Sequence, residues 1–378
     1  MIHRVKLLFF YCLLSFTAFG TGNDSLAKGD ARDEVEKLLQ HAEDIKGSDP
    51  KAALNSAEEA LDLAKKNNDS LAIIHAYIGA GKVCNYLGNH QKALDYLLKA
   101  VEMSERSAYK KELGLAYNET GGVFYNEGDY ERAGKYFAKA LEVRLYLDDK
   151  EDIAGSLNNV GETYRLKGDK RTALEYYNRA LAINTELGKK RWLSINCANI
   201  GYIYLDDKNF PKALEFFTKQ YDNAVGGGDK KDLASPLNNL GRYYLETGDP
   251  KKALDYFGRG MSSAENVFAT NDMIDALKGL SDAYALSGDH RSAYEFLCRY
   301  ILKKEELQNN EKEKQLLELE LPFEKTLQEK RILDMESEGR SNSITLASRL
   351  HLIYALIAGL ALLGAATAYL IYLQRKKN

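Results

Sequence analysis

Asparagine recurs at a fixed interval through the middle of the sequence. Asn159, Asn199 and Asn239 are 40 residues apart, and Asn158 and Asn238 stand beside the first and the last of them. A side-chain amide both donates and accepts hydrogen bonds, so a row of amides suits the backbone of a bound peptide. This column is the strongest candidate in the sequence for a functional site. Its residue type suits a binding site.

Catalytic and metal-binding motifs do not stand out. The six histidines, at positions 3, 41, 75, 90, 290 and 351, form neither an HExxH motif nor a pair with metal-ligand spacing. Gly226, Gly227 and Gly228 precede Asp229-Lys-Lys231 and lack the Gly-Lys-Ser/Thr of a phosphate-binding loop. This glycine run is interpreted as a link between repeats. We expect no enzyme activity, no metal and no cofactor.

The charge balance narrows the choice of partner. The chain has 52 Lys and Arg against 55 Asp and Glu, a net charge of −3. A protein that binds nucleic acid through its phosphates carries a strongly basic surface. Nucleic acid is therefore excluded as a partner, and a protein or peptide is expected.

The elements that must position the amides follow the same 40-residue period. An alanine recurs at that interval at Ala53, Ala93, Ala133, Ala173, Ala213, Ala253 and Ala293. Gly161 and Tyr164 represent a glycine and an aromatic column, and Gly168-Asp169 predicts a helix end followed by the cap of the next helix. Each unit is thus predicted to be two helices and a short turn, which need neighbours to bury their other faces.

These columns resemble the tetratricopeptide repeat. The pattern of Leu-Gly, Tyr, Ala, Phe/Tyr and Ala in that family appears here as Val160-Gly161, Tyr164, Ala173, Tyr177 and Ala180. The usual period is 34 residues, and the 40-residue variant resembles the repeats of kinesin light chains. The resemblance implies an all-α fold, a superhelical solenoid of about seven helix-turn-helix units over residues 31–305.

The resemblance also implies a role for the amides. Asparagine at this position in peptide-binding members often bonds the main chain of an extended ligand. By resemblance that role passes to Asn159, Asn199 and Asn239, and ligand side chains are read by Arg165, Tyr202 and Arg242. The neighbouring Asn158 and Asn238 complete the predicted peptide-binding set. The alternative is that the amides tie neighbouring units together. Because the column holds Gly79, Glu119 and Gly279 elsewhere, the groove is expected over units three to six.

The two ends of the chain predict a membrane protein. Residues 1–20 combine Arg4 and Lys6 with an apolar run, which is typical of a signal peptide. Residues 351–373 contain 22 successive residues without charge, enough to form a transmembrane helix. The basic residues of the tail, 374–378, predict that this end is cytoplasmic. The repeats are then expected outside the cytoplasm, in the periplasm.

A charged segment joins the repeats to the predicted membrane helix. Nineteen of residues 301–340 are charged, which predicts a helical or coiled-coil neck over 306–348. Pro322 interrupts the apolar spacing, so a lone helix and a homodimer through the neck and membrane helix both remain open.

The whole layout resembles the extracytoplasmic sensor or scaffold part of Bacteroidetes-type membrane proteins, without an output domain. We expect a membrane-anchored scaffold that binds a protein or peptide on its concave face. The alternative is a sensor or receptor of a signalling system, truncated or acting through a partner protein.

Overall fold

The 40-residue period of the sequence is realised as helical hairpins. A computed structural model describes residues 31–267, 269–309, 330–331, 333–337, 340, 346, 350–354, 356–360, 363–364 and 367. The chain divides into two compact units, one ending at Leu316 and one beginning at Leu317. The described residues of the second unit are all helical.

In the first unit, the described residues between 31 and 309 form fourteen α-helices in seven pairs. The helices are α1 (31–45), α2 (Pro50–Lys66), α3 (Ser70–Leu87), α4 (His90–Glu105), α5 (Lys110–Asn126), α6 (Tyr130–Leu147), α7 (Lys150–Leu166), α8 (Lys170–Glu186), α9 (Lys190–Asp206), α10 (Phe210–Gly227), α11 (Ala234–Glu246), α12 (Pro250–Asn266), α13 (Thr270–Ser287) and α14 (290–309). This confirms the all-α repeat solenoid that the sequence predicts.

The turns within the hairpins use the predicted capping residues. Gly168 adopts the left-handed conformation (φ 86°) after α7, which an L side chain rarely tolerates. The backbone N–H of Asp169 donates to the carbonyl of Tyr164 at 2.9 Å, closing the helix end. The Asp169 carboxylate then accepts from the N–H of Thr172 at 3.0 Å and starts α8.

The glycine column allows the two helices of a hairpin to pack closely. A Cβ on Gly161 would lie 2.9 Å from the ring of Tyr177, which is fully buried. Tyr164 stacks on Tyr176 instead, with ring centroids 5.6 Å apart. The predicted aromatic column therefore fills the space between the paired helices, and Tyr177 occupies the space above the glycine.

The first helices of successive hairpins contact one another, as α7 does with α9 and α11 does with α13. They therefore form one continuous inner face on which side chains from different repeats meet.

The glycine run at 226–228 is a helix end rather than a link. Gly226 and Gly227 lie in the last turn of α10, and Gly228 caps it with φ 79°. A short 3-10 helix, Lys230–Asp232, then precedes α11, which has only 13 residues.

Several predicted segments lie outside the described residues. These are the signal peptide (1–20), the tail (374–378), most of the neck (306–348) and much of the membrane helix (351–373). Among the residues that the structure describes, no helix combines the length and apolar character that crossing a membrane requires. The membrane and homodimer predictions therefore stay predictions.

Candidate functional site

A polar groove crosses the inner face of the solenoid. It has a volume of about 420 Å³ and lies on the first helices of the second to fifth hairpins, α3, α5, α7 and α9, with one lining residue from α6. We call it the amide groove; its lining residues are Asn85, Asn118, Glu119, Gly122, Tyr125, Asn126, Phe137, Asn158, Asn159, Glu162, Ile195 and Asn199.

Pairs of asparagines connect neighbouring hairpins along this groove. In each pair the amide nitrogen of the later residue donates to the amide oxygen of a residue 41 positions earlier. The pairs are Asn126 with Asn85 (3.1 Å), Asn159 with Asn118 (3.0 Å) and Asn199 with Asn158 (2.9 Å). The interpretation of the amides as ties between units therefore has a geometric basis in the groove.

The amide of Asn158 also connects the groove to the interior. Its oxygen accepts a second hydrogen bond from Asn196 at 3.2 Å, and Asn196 in turn accepts from Asn184 on α8 at 2.7 Å. Asn196 and Asn184 are almost fully buried. A buried amide that loses its partner is costly, so this chain holds α7, α8 and α9 in register.

A charged cluster borders the groove at Glu162, which is one of its lining residues. Arg165 donates two hydrogen bonds to Glu162, at 2.6 and 2.8 Å, and Tyr177 donates to the same carboxylate at 2.5 Å. Burial acts to raise the pKa of Glu162, but the hydrogen bonds from Arg165 and Tyr177 outweigh it and lower that pKa. Burial, reinforced by Glu162, raises the pKa of Tyr177 and of Tyr125, whose hydroxyl is 3.3 Å from Glu162. Arg165 therefore binds a carboxylate of the protein itself, Glu162.

The last two predicted amides lie away from the groove and are buried. Asn239 donates to Gln220 at 2.9 Å and accepts from the hydroxyl of Tyr202. Asn238 donates to the backbone carbonyl of Asp272 at 2.9 Å and so joins α11 to α13. Both are at most 5% exposed, which places them in the packing between repeats.

The remaining predicted residues form a separate patch on the inner face. The guanidinium of Arg242 lies 5.6 Å from the ring centroid of Tyr202, and Arg242 is exposed. Burial raises the pKa of Tyr202, and Arg242 acts in the opposite direction. Burial also raises the pKa of Asp275 against the influence of Arg242. Arg242 is therefore the predicted reader that is most available to a ligand.

The structure thus brings Asn158, Asn159 and Asn199 together in the amide groove. Asn238 and Asn239 lie outside it. The groove spans units two to five, one unit earlier than predicted. Sequence reasoning missed the groove residues Asn85, Asn118, Glu119, Gly122, Tyr125, Asn126 and Ile195. A search for asparagine pairs 41 residues apart, instead of columns 40 apart, could have found several of them. The role of the eight predicted residues in binding stays a prediction.

No group of His, Cys, Asp and Glu in the described part of the chain has the arrangement of a metal site. No disulfide joins the three cysteines of that part, Cys84, Cys197 and Cys298.

Helical hairpins with a 40-residue period and a polar inner groove define a repeat scaffold for protein–protein interaction. The family model of the tetratricopeptide repeat matches residues 45–106, 112–186 and 193–266, more than half of the chain. The chain belongs to this family. A comparison with curated proteins gives no significant match.

Solved structures of similar fold include signalling proteins. A Rap protein complexed with Competence and Sporulation Factor is 18% identical (TM-score 0.56; 73% of this chain, 76% of that chain). Aspartyl phosphate phosphatase F from Bacillus subtilis is 17% identical (TM-score 0.59; 74% and 73%). The apo quorum sensor NprR from B. thuringiensis is 13% identical (TM-score 0.50; 71% and 87%). These likenesses show the fold alone, and because one neighbour is a phosphatase, the absence of enzyme activity stays a prediction.

Proposed function

We propose that this protein is a membrane-anchored scaffold that binds an extended segment of a protein or peptide in the amide groove. One observation carries the proposal: asparagine amides from four successive first helices converge on one groove of about 420 Å³. Each amide has two donor hydrogens and an acceptor oxygen, so pairing between repeats uses only part of its capacity. The remaining donors and acceptors match those of a peptide backbone.

Two glycines leave room for a ligand beside the amides. A Cβ added at Gly122, which lines the groove, or at Gly155, one turn before Asn159 on α7, would meet no atom within 4 Å. Glycine inside a helix costs about 1 kcal/mol relative to alanine. Neither glycine is required by packing within the described part of the chain, so both favour close approach of a bound backbone.

The structural neighbours support the same type of ligand. The Rap protein was solved in complex with Competence and Sporulation Factor, and NprR is a quorum sensor. The likeness extends to the fold, and the groove described above supplies the independent reason for placing a ligand on this face.

The proposal includes the location of the scaffold. Residues 351–373 would anchor it as a single span, with the repeats in the periplasm and residues 374–378 in the cytoplasm. Protease treatment of cells whose outer envelope has been opened should degrade the repeats and leave a C-terminal epitope protected inside. Protection of the repeats under these conditions would contradict the proposed orientation.

Binding is tested by filling the groove. A Cβ at Gly122 meets no atom within 4 Å, so Gly122→Trp directs a bulky side chain into the groove. Gly258→Trp on α12, where a Cβ also meets no atom within 4 Å, is the control outside the groove. The full-length proteins are captured from their native membrane after mild crosslinking. A partner recovered with the wild type and Gly258→Trp but lost with Gly122→Trp is the expected result. Equal recovery with all three would place the binding surface elsewhere.

A further inference from the structure

The amide groove carries a carboxylate that forms no ion pair within the described part of the chain. Glu119 occupies the column that holds Asn159 and Asn199 in the following units, and it lines the groove. From this position we infer the chemistry of the ligand, an inference that rests on the proposed function. We propose that the bound segment presents a lysine or arginine side chain to Glu119, over Gly122.

Two other charged residues on this face, Glu162 and Lys82, form ion pairs within the protein. Glu162 is neutralised by its two hydrogen bonds from Arg165. Lys82, one hairpin earlier on the inner face, lies 3.5 Å from Glu43. Glu119 is therefore the charge in the groove that forms no ion pair among the described residues.

One buried cation lies close enough to influence Glu119. Arg144 is 6% exposed, and the carboxylates of Asp152, Glu119 and Asp149 all act on it. Its guanidinium donates to the backbone oxygen of Asp152 and to Ser156, and not to Glu119. One positive charge shared among three carboxylates leaves this part of the inner face negative, which favours a cationic ligand group.

The unused hydrogen-bond acceptors of Glu119 also favour a cationic ligand group. An ionised carboxylate only accepts hydrogen bonds and offers about four acceptor positions. Its one hydrogen-bond donor among the described residues is the neighbouring amide of Asn118, at 3.1 Å. The ligand must therefore bring donors here, and the ammonium of lysine or the guanidinium of arginine does so with charge as well.

The surroundings also suit the length of a basic side chain. Gly122 follows Glu119 by one turn on α5, and the space over it is open. Tyr125 and Phe137 also line the groove. The methylene stem of lysine or arginine can pack on these rings while its charged end reaches the carboxylate.

The test uses a phage-displayed library of random nonapeptides selected on the full-length protein in detergent. Glu119→Gln keeps the shape of the side chain and removes the charge, whereas Glu119→Lys reverses it. Glu175→Gln, on the exposed side of α8, is the matched control. Circular dichroism of each variant verifies the fold, and Gly122→Trp shows which peptides depend on the groove.

We expect groove-dependent peptides from the wild type and the control to be enriched in lysine or arginine at one position. Glu119→Gln should reduce that enrichment about tenfold, the effect of one hydrogen bond to a charged group. Glu119→Lys should replace it with enrichment in aspartate or glutamate. Groove-dependent peptides without a basic position, or with one that is unaffected by Glu119→Gln, would overturn this inference alone. If no selected peptide depends on Gly122, the proposed function fails as well.

Discussion

The amide nitrogen of Asn199 donates to the amide oxygen of Asn158 over 2.9 Å, across a sequence separation of 41 residues. Each residue belongs to the first helix of its hairpin, so the bond joins two consecutive repeats at the surface of the groove. The same separation joins Asn159 to Asn118. Asn159 and Asn199 of the predicted column are therefore each paired with an asparagine of the preceding unit. That partner stands one position earlier in its own repeat.

This arrangement makes the structural and binding interpretations compatible. Pairing fixes the orientation of each amide and leaves part of its hydrogen-bonding capacity unused. An amide held in place loses less entropy when a ligand binds, which favours affinity. The structural interpretation nevertheless has a consequence of its own, because removal of an amide should alter stability even in the absence of ligand.

Asn158→Ala should be more destabilising than Asn159→Ala. Asn158 accepts from two amides, and one of them, Asn196, is only 1% exposed and would lose a hydrogen-bond partner. We expect a loss of about 1–3 kcal/mol for Asn158→Ala and about 1 kcal/mol or less for Asn159→Ala. Urea unfolding followed by circular dichroism measures both. Equal losses would show that the link to Asn196 contributes nothing to stability.

Alanine at two adjacent glycines of α5 should have opposite effects. A Cβ at Gly121 would lie 2.7 Å from the ring of Phe137, which is 5% exposed and has little space to move. Gly121→Ala should therefore cost about 1–3 kcal/mol, as overpacking does. Gly122→Ala meets open space and should add about 0.5–1 kcal/mol by improving helix propensity.

The two alanine variants control for each other, because they share one helix, one turn and one chemical change. Thermal unfolding of the full chain is sufficient to determine the sign of each effect. A loss of stability at Gly122 would show that the space above it is occupied and leaves no room for a ligand at this position.

The sequence predicts the hairpins well because they depend on local chemistry repeated many times. Gly168 and Asp169 specify a turn by their own conformational and capping preferences, which do not depend on the neighbouring units. Gly161 likewise predicts close helix packing. Such features depend only on residues within one unit, and both the glycine column and the turn motif recur in five of the units.

The groove was harder to predict because it depends on which residue stands in the preceding unit. Asn159 and Asn199 meet an asparagine there, but the equivalent partner of Asn239 is Ala198, which has no amide. Asn239 bonds Gln220 and Tyr202 instead and is buried. Identical residues of one column thus occupy two environments, the groove for Asn159 and Asn199 and the interior for Asn239. A search for a single period does not distinguish them.

Stability should depend on pH through Glu162. Its pKa in the folded protein is lowered below the ordinary value of 4.5, despite burial, by hydrogen bonds from Arg165 and Tyr177. A lowered pKa contributes stability that is fully present above about pH 4.5 and is lost as the pH falls through the folded pKa. Acid should therefore weaken the protein at this cluster.

Glu162→Gln isolates this contribution. At neutral pH the variant should be less stable by about 1.5–3 kcal/mol, since it loses hydrogen bonds to a charged group that is 20% exposed. Below about pH 4.5 the difference from the wild type should shrink. Glu175→Gln, at a solvent-exposed ion pair with Arg171, should change stability by less than about 1 kcal/mol. A pH-independent difference at Glu162 would mean that its ionisation is not linked to folding.

The three cysteines of the repeats should differ in reactivity according to their burial. The thiolate is the reactive form of cysteine, and burial raises the pKa of Cys197 to about 11. Cys84 is equally inaccessible, at 0% exposure, whereas Cys298 on α14 is half-buried. Iodoacetamide at about pH 8, near the ordinary pKa of a free thiol, should modify Cys298 first. Cys84 and Cys197 should react only after urea unfolds the protein.

Peptide mass spectrometry assigns each modification to its cysteine and separates Cys12, which lies outside the described residues. Cys298→Ser should abolish the early modification within the repeats and leave the two slow reactions unchanged. Rapid modification of Cys197 in the native protein would contradict the tight packing of α9 against its neighbours. Rapid modification of Cys84 would instead show local opening of the second hairpin, where the amide groove begins.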